Sequence, residues 1–369
     1  MTFIPGADAE ELRTVVRGFL EKRSGESDVR RLMETESGYD ETTWRQAATE
    51  LGLQGLIVPE QWGGSGASPV ELGVVFEEMG RALYGGPFLS TVGLAATALL
   101  CVPDEAARER HLPGIASGDT VATLAWGGLD PLASTVTAER GENGWVLTGT
   151  AEVVLDGGTA DLVLVLADTE EGLGLFAASG EPDRAPLTAL DSTRRLAALS
   201  FTDTAAEAIG VPGEVIEPMR LAVHRAVVAL GCEQLGGAAR LLEMSVEYAN
   251  TRVQFGRKIG SFQAVKHRCA DMLVEVESAR SAAYYASWVI DNDPDDLPIA
   301  ASLAGAVCSD SYMHVALDNI QNHGGIGFTW EHPAHLYLKR AKSSQLFLGS
   351  PGRHRARLAT LLDIPEVGA

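Results

Sequence analysis

The feature that most narrows the fold is the order in which the chain changes character: helical, then β, then helical again with longer elements. Up to about residue 120 the patterns predict helices over Glu10 to Lys22, Thr42 to Leu51, Pro69 to Leu83 and Ser90 to Leu100. Between them, Pro59-Glu60-Gln61-Trp62-Gly63-Gly64-Ser65-Gly66 is a glycine-rich loop that no helix can run through. Residues 121–215 carry short runs (Val146-Leu147, Val153 to Leu155, Leu162 to Leu166, Leu173 to Ala177) separated by Gly, Asp and Asn. Glu142-Asn143-Gly144 is a hairpin signal, and strands at this spacing predict a small barrel or sandwich. From 216 onward Phe262, Val265, Cys269, Met272, Val276, Ala279, Ala283 and Ala286 recur at three- and four-residue steps, with Ser261 placed as the N-cap. Asp291 to Pro298 interrupts the pattern, Ala300 to Gln321 restarts it, and Gly324-Gly325 ends it. So narrow and long a stripe belongs in an antiparallel helix bundle. The expectation is a mainly α protein with a central β-barrel: a helical domain over 1–120, a β domain over 121–215 and a four-helix bundle over 216–369.

With 369 residues the chain can build sizeable cores. The net charge of −21 argues against nucleic acid and anionic membranes as partners, and requires any anionic ligand to be held by local donors. No apolar run reaches the roughly 18 residues of a spanning helix, and the start lacks a signal-peptide pattern. Cys101, Cys232, Cys269 and Cys308 show no paired spacing and read as buried thiols, so the cytoplasm is the expected compartment.

Two stretches carry chemistry. The first is Tyr248-Ala249-Asn250-Thr251-Arg252-Val253-Gln254-Phe255-Gly256, followed by Ile259 and Phe262-Gln263. Alone, its Arg-x-x-Phe-Gly could also be a helix C-terminus with a basic last turn and a left-handed glycine cap. The second is Gln321-Asn322-His323-Gly324-Gly325-Ile326-Gly327-Phe328. No strand precedes it, so it is not a dinucleotide fingerprint. A helix C-terminus repels anions, so any phosphate here needs turn N–H groups freed by the glycines, together with Gln321.

Together, in this order and at this separation, the two stretches resemble those of the acyl-CoA dehydrogenase family. The Pro59–Gly64 loop and Val74 to Leu83 are similar to its N-terminal domain, Gly144 to Gly149 with Asp161 to its β domain, and Lys339 to Ser350 to the segment that normally ends in the catalytic Glu-Gly-Thr. The resemblance implies an FAD enzyme in which a carboxylate removes the α-proton of an acyl-CoA thioester while hydride leaves the β-carbon. It assigns Arg252, Gln254, Phe255, Gln263, Gln321, Gly324 and Gly325 to cofactor binding, and implies an electron-accepting flavoprotein as a further partner.

The chain departs from the family where the reaction takes place. Leu348 stands at the position of the catalytic glutamate, so no catalytic residue is assigned. At the family's alternative base position stand His224, Arg225 and Ala226; Glu233, Glu243 and Glu247 follow on the same helix, with Glu233 the one remote candidate. The family's flavin-lining stretches are replaced around Thr123 to Asp130 and at Val153-Val154-Leu155-Asp156-Gly157. In the family the flavin ring is held by one subunit, while the adenine–pyrophosphate end is held by its neighbour's Arg-x-x-Phe-Gly and Gln-x-x-Gly-Gly motifs. This chain keeps the motifs that act on the neighbour's cofactor and lacks those that act on its own. Glu77 to Phe88 is also similar to base-lacking subunits of actinobacterial heterotetrameric, steroid-degrading acyl-CoA dehydrogenases. The expected role is the trans half of an FAD site in a complex with a second subunit that carries the glutamate. An independent flavoenzyme with a relocated base and a non-catalytic scaffold stay open. His332 and His335 around Pro333 read as solvated or capping side chains. Arg353, His354, Arg355 and Arg357 fit a helix-surface charge patch as well as a phosphate contact, and no role is assigned to Asp191 or Arg194.

Overall fold

The computed structural model describes residues 5–364 except Leu129 and Asn143, so the middle of the predicted hairpin and one position of the altered 123–130 stretch lie outside the described residues. Helices α1 (Ala7–Arg23), α2 (Glu26–Met33), α3 (Glu41–Thr49) and α4 (Pro69–Arg81) come first. A π-helical segment, Leu89–Ala96, then runs into α5 (Thr97–Cys101), and α6 (Glu105–Ala116) follows. Seven strands form the middle: β1 (Ala122–Ala125), β2 (Val136–Gly141), β3 (Gly144–Leu155), β4 (Leu162–Thr169), β5 (Gly172–Ala178), β6 (Asp183–Leu187) and β7 (Leu196–Ile209). Helix α7 (Ile216–Thr251) leads to the short hairpin β8 (Val253–Gln254) and β9 (Arg257–Lys258), then α8 (Gln263–Asn292), α9 (Leu297–His323), α10 (Ala334–Leu346) and α11 (Pro351–Leu361). Among the described residues no helix is long and apolar enough to cross a membrane.

The chain forms two compact units that do not follow chain order. One holds the residues up to Val29, Pro69–Tyr84 and everything from Val227; the other holds Arg30–Ser68 and Gly85–Ala226.

In the second unit β5 pairs with both β7 and β4, so the path β4-β2-β3-β7-β5 returns to β4 and the sheet closes into a barrel. The predicted runs Val146-Leu147 and Val153 to Leu155 are one strand, β3, whose pairing with β7 shifts register on either side of Gly149 and Ala151. Gly149 has φ +133°, and a Cβ there would run into the Thr135 carbonyl. The β2–β3 hairpin closes on Gly141 opposite Gly144. Outside the barrel, Trp44 Nε1 donates to Gly118 O at 3.0 Å and ties α3 to the end of α6. Arg195 collects the carbonyls of Leu32, Met33, Thr35, Glu36 and Ser192 at 2.6–3.2 Å. A Cβ on Gly38 would lie 2.7 Å from Arg195 Cγ, which restricts that turn to glycine.

In the first unit α9 packs on α8, α10 and α11, and α4 packs on α1 and α8. The predicted α8 stripe is buried from Met272 through Val276, Ala279 and Ala283 to Ala286, but Val265 and Cys269 are only half-buried. Ser261 is not the N-cap: Phe262 holds that place, and the Ser261 hydroxyl donates back to Lys258 O at 2.7 Å. Where α4 meets α7, a Cβ on Gly80 would strike the Glu233 carbonyl and one on Gly236 would strike the Glu77 carbonyl. The two helices touch backbone to backbone.

Candidate cofactor clamp and the missing base

The first motif is a helix end followed by a tight hairpin. Helix α7 stops at Thr251, and Ile259 N–H bonds Arg252 O at 2.9 Å, so the chain turns back at once. Phe255 (φ +54°) and Gly256 (φ +76°) occupy the two turn positions, both left-handed, as a type I′ hairpin turn requires. Gly256 is therefore a hairpin residue and not the cap of α7. The turn lifts Phe255 into solvent, 89% exposed. Arg252, Gln254 and Gln263 are exposed too, with Gln263 reaching His267 at 3.4 Å.

The second motif is the end of α9 and the turn after it. Gly324 (φ +61°) donates its N–H back to Gln321 O and Ile320 O, and a 3-10 turn runs over Gly324–Phe328. A Cβ on Gly324 or Gly325 would meet no heavy atom within 4 Å, so the turn faces open space. Gln321 is exposed, whereas Asn322 is buried and accepts from Arg268 at 3.1 Å. His323 is buried, with its ring 4.5 Å from Tyr248 and 4.2 Å from His332. Phe328 and Trp330 beyond the turn are 80% and 65% exposed.

These residues have the chemistry an FAD pyrophosphate and adenine need. Among the described residues the side chains of Arg252, Gln254 and Gln321 have no hydrogen-bond or ion-pair partner. A free guanidinium is notable in a chain of net charge −21. Free side-chain donors beside a turn left open by two glycines suit phosphate oxygens, and exposed rings suit a heteroaromatic base.

The position where the base is expected is occupied and closed. Leu348 is 6% exposed and sits in the left-handed region at φ +58°, followed by Gly349 at φ +116°. Ser350 caps α11 through Arg353 N–H. Beneath the loop lies His354, packed on Gly305 of α9 and within 3.2 Å of the space a Gly349 Cβ would fill. Burial pushes this imidazole down to about 4, with Arg357 and Arg353 adding repulsion against its hydrogen bond to the Gly349 backbone.

The other carboxylates on α7 are engaged. Glu233 accepts from Arg340 at 2.6 Å in an almost fully buried pair. Glu243 holds Arg81 through both oxygens at 2.5–2.6 Å; burial would raise its pKa, but that guanidinium brings it below the usual range. Glu247 is largely exposed, 3.7 Å from Arg240. His224 and Ala226, at the alternative base position, are both buried.

The two altered flavin-lining stretches meet in the second unit. The Thr123 hydroxyl donates to Leu155 O at 2.6 Å, which turns the one hydroxyl of the first stretch inward. Trp126 and Leu155 are buried. Asp156, left-handed at φ +54°, accepts from Ser90 at 2.6 Å.

A buried ionic cluster escaped the sequence reading. Glu78 takes Arg17 at 2.7 Å and Arg13 at 3.0 Å, while Glu77 takes Arg13, Arg280 and the Tyr284 hydroxyl at 2.8, 3.1 and 2.9 Å. Burial and the Glu77 charge together push the Tyr284 hydroxyl upward. The signal was the acidic doublet itself, set between Val74-Val75-Phe76 and Met79, where unpaired carboxylates are untenable. His332 accepts from Ala334 N–H at 3.2 Å as a cap, Arg355 pairs with Asp310, and Asp191 accepts from Thr193 N–H at 3.0 Å. Among the described residues no group of His, Cys, Asp and Glu could hold a metal ion.

Comparison with known proteins agrees with this architecture along the chain. Residues 6–119 match the acyl-CoA dehydrogenase N-terminal domain and residues 215–362 its C-terminal domain. Acyl-CoA dehydrogenase IpdE2 of Mycobacterium tuberculosis is 35% identical over 362 residues, covering 96% of this chain and 97% of that protein. The ChsE4–ChsE5 complex from Mycobacterium tuberculosis includes a chain of TM-score 0.90 and 29% identity, with all of both chains covered. A variant of the Tcur3481–Tcur3483 steroid ACAD gives 0.88 and 30%, covering 98% of this chain and 99% of that one. Fold, motif order and sequence similarity over nearly the full length converge: this chain belongs to the acyl-CoA dehydrogenase family.

Proposed function

We propose that the chain is the base-lacking subunit of a heteromeric acyl-CoA dehydrogenase. It holds the adenine–pyrophosphate end of an FAD whose flavin lies over a partner that supplies the catalytic glutamate. The observation that carries the reading is the contrast within one chain. Arg252, Gln254 and Gln321 are exposed and without partners, while the base position holds a buried leucine. Loss of function by drift would be expected to erode both ends.

FAD, when bound, supplies the acceptor for the β-hydride. This chain's part is to bind and orient. Arg252 would hold the pyrophosphate oxygens, the side-chain-free surface of Gly324 and Gly325 would let them approach, Gln254, Gln263 and Gln321 would complete their hydrogen bonding, and Phe255 would flank the adenine. The α-proton goes to the partner's carboxylate, because Leu348 cannot accept one.

Two relatives support the heteromer. The ChsE4–ChsE5 structure is described as a complex, and the Tcur3481–Tcur3483 structure is described as a steroid ACAD. On that basis the substrate class is a steroid-derived acyl-CoA, and the electrons pass on to an acceptor flavoprotein.

Co-expression with an adjacent acyl-CoA dehydrogenase subunit, followed by a flavin-to-protein ratio, tests the proposal. One FAD per pair of unlike chains is expected. A fully flavinated homo-oligomer of this chain that is active alone would overturn it.

A further inference from the structure

We propose that His323 is the positioning residue that holds the two halves of the clamp in register; this rests on the reading of Arg252 and Gln321 as FAD-binding residues. The two motifs sit at the ends of different helices, α7 and α9, and among the described residues Arg252 and Gln321 have no bond to each other or to any other side chain. Helix ends fray, so two exposed donors on separate ends need something beneath them to fix their separation.

The structure supplies a ladder between the two helices that ends under the motifs. Asn319, fully buried, donates to Leu241 O at 2.8 Å and to Ser245 Oγ at 2.9 Å on α7. One turn further along both helices, the His323 ring stacks on Tyr248 at 4.5 Å and 29°. Tyr248 lies one turn before Arg252, and His323 lies two residues after Gln321. The stack is thus the last rung before both sets of donors.

The imidazole is held on every side the structure describes. Its Nδ1 lies 2.8 Å from Asn319 O. A carbonyl can only accept, so Nδ1 carries the proton. Burial lowers its pKa, which keeps the ring neutral against Tyr248. His332 packs on the ring at 4.2 Å, and a Cβ on Gly327 would sit 3.0 Å from His323 Cβ. The glycine turn therefore rests directly on this side chain. Loss of the ring at 323 would shift both the end of α7 and the glycine turn without touching a ligand.

The test strips FAD from the complex of the full chain with its co-purified subunit and titrates FAD back, following flavin fluorescence. His323→Leu should raise the Kd for FAD about tenfold. At saturating FAD the bound-flavin spectrum and turnover should stay unchanged, because the reacting ring is held by the partner. His323→Phe keeps a ring in the stack and should return the Kd to within about twofold of the native complex. Arg252→Ala is the control for the underlying reading. If Arg252→Ala weakens FAD and His323→Leu does not, the positioning role is wrong while the clamp stands. If His323→Phe is as weak as His323→Leu, stacking is not what sets the register and the proposal falls. If Arg252→Ala leaves FAD binding unchanged, the clamp reading falls and takes this one with it.

Discussion

Arg340 and Glu233 meet at 2.6 Å with side chains only 2% and 7% exposed. The pair joins α10 to α7, and neither partner can be removed without leaving a charge in a dry interior. Arg340→Met or Glu233→Leu alone should each destabilise the chain by about 3–5 kcal/mol, and the double variant by much less. Urea denaturation of the three variants checks this. The same pairing takes Glu233 out of contention as a base, so Glu233→Gln should leave the rate of flavin reduction in the complex unchanged. A rate lost with the fold intact would restore it as a candidate.

The seam between α4 and α7 gives a second expectation. Gly80→Ala and Gly236→Ala each drive a methyl into a backbone carbonyl, of Glu233 and Glu77 respectively. Each should cost about 1–3 kcal/mol or more, because no rotamer relieves a clash with main chain. Thermal melts of the two single variants measure it, and native-like stability in either would show that the helices can separate there.

Leu348→Glu places a carboxylate at the position where the base is expected. It should not create a second active site, because the stretches Thr123 to Asp130 and Val153 to Gly157 lack the residues expected to line a flavin. It should instead lower stability at neutral pH, since a carboxylate would replace a buried leucine. Flavin content staying at one per pair of unlike chains is the expected result, and a doubled flavin content with added turnover would contradict it.

His354 sets a pH dependence on the acid side. Its folded-state pKa of about 4 lies below the 6.5 of an unperturbed histidine. Between these values the unfolded chain binds a proton that the folded chain refuses. Stability is therefore full above about pH 6.5 and falls as the pH drops toward 4, by roughly 3 kcal/mol from this group. Melting temperatures across that range should decline less steeply in His354→Asn than in the native chain.

Much of the fold was legible because it rests on local periodicity. The α8 stripe from Met272 to Ala286, the break at Asp291 to Pro298 and the glycine stop of α9 are all local signals, and all appear in the structure. Helix α2 was missed because it is short and buries only Val29, and α6 because Pro113 and Gly114 lie inside it. The Ser261 cap failed because Lys258 O captures its hydroxyl. At the candidate site the motifs that carry Arg252 and Gln321 are local in sequence, and both residues are exposed in the structure. The pairing of Glu233 with Arg340 was not legible, because it joins residues 107 apart in sequence. Tertiary pairs of charges leave no periodic trace.

The five carbonyls gathered by Arg195 have a consequence for how the chain is made. Leu32, Met33, Thr35 and Glu36 leave the ribosome some 160 residues before the guanidinium that will bind them. At ordinary rates of synthesis that is roughly ten to thirty seconds during which these carbonyls lack the guanidinium and rely on water or on local bonds such as Thr35 N–H to Leu32 O. The end of α2 and the turn after it therefore make a late-closing contact of high sequence separation, settled only when the chain around the start of the last barrel strand has been made. A slowed or truncated synthesis that ends before Arg195 should leave this segment unlatched, with the nascent chain dependent on chaperones until that residue arrives.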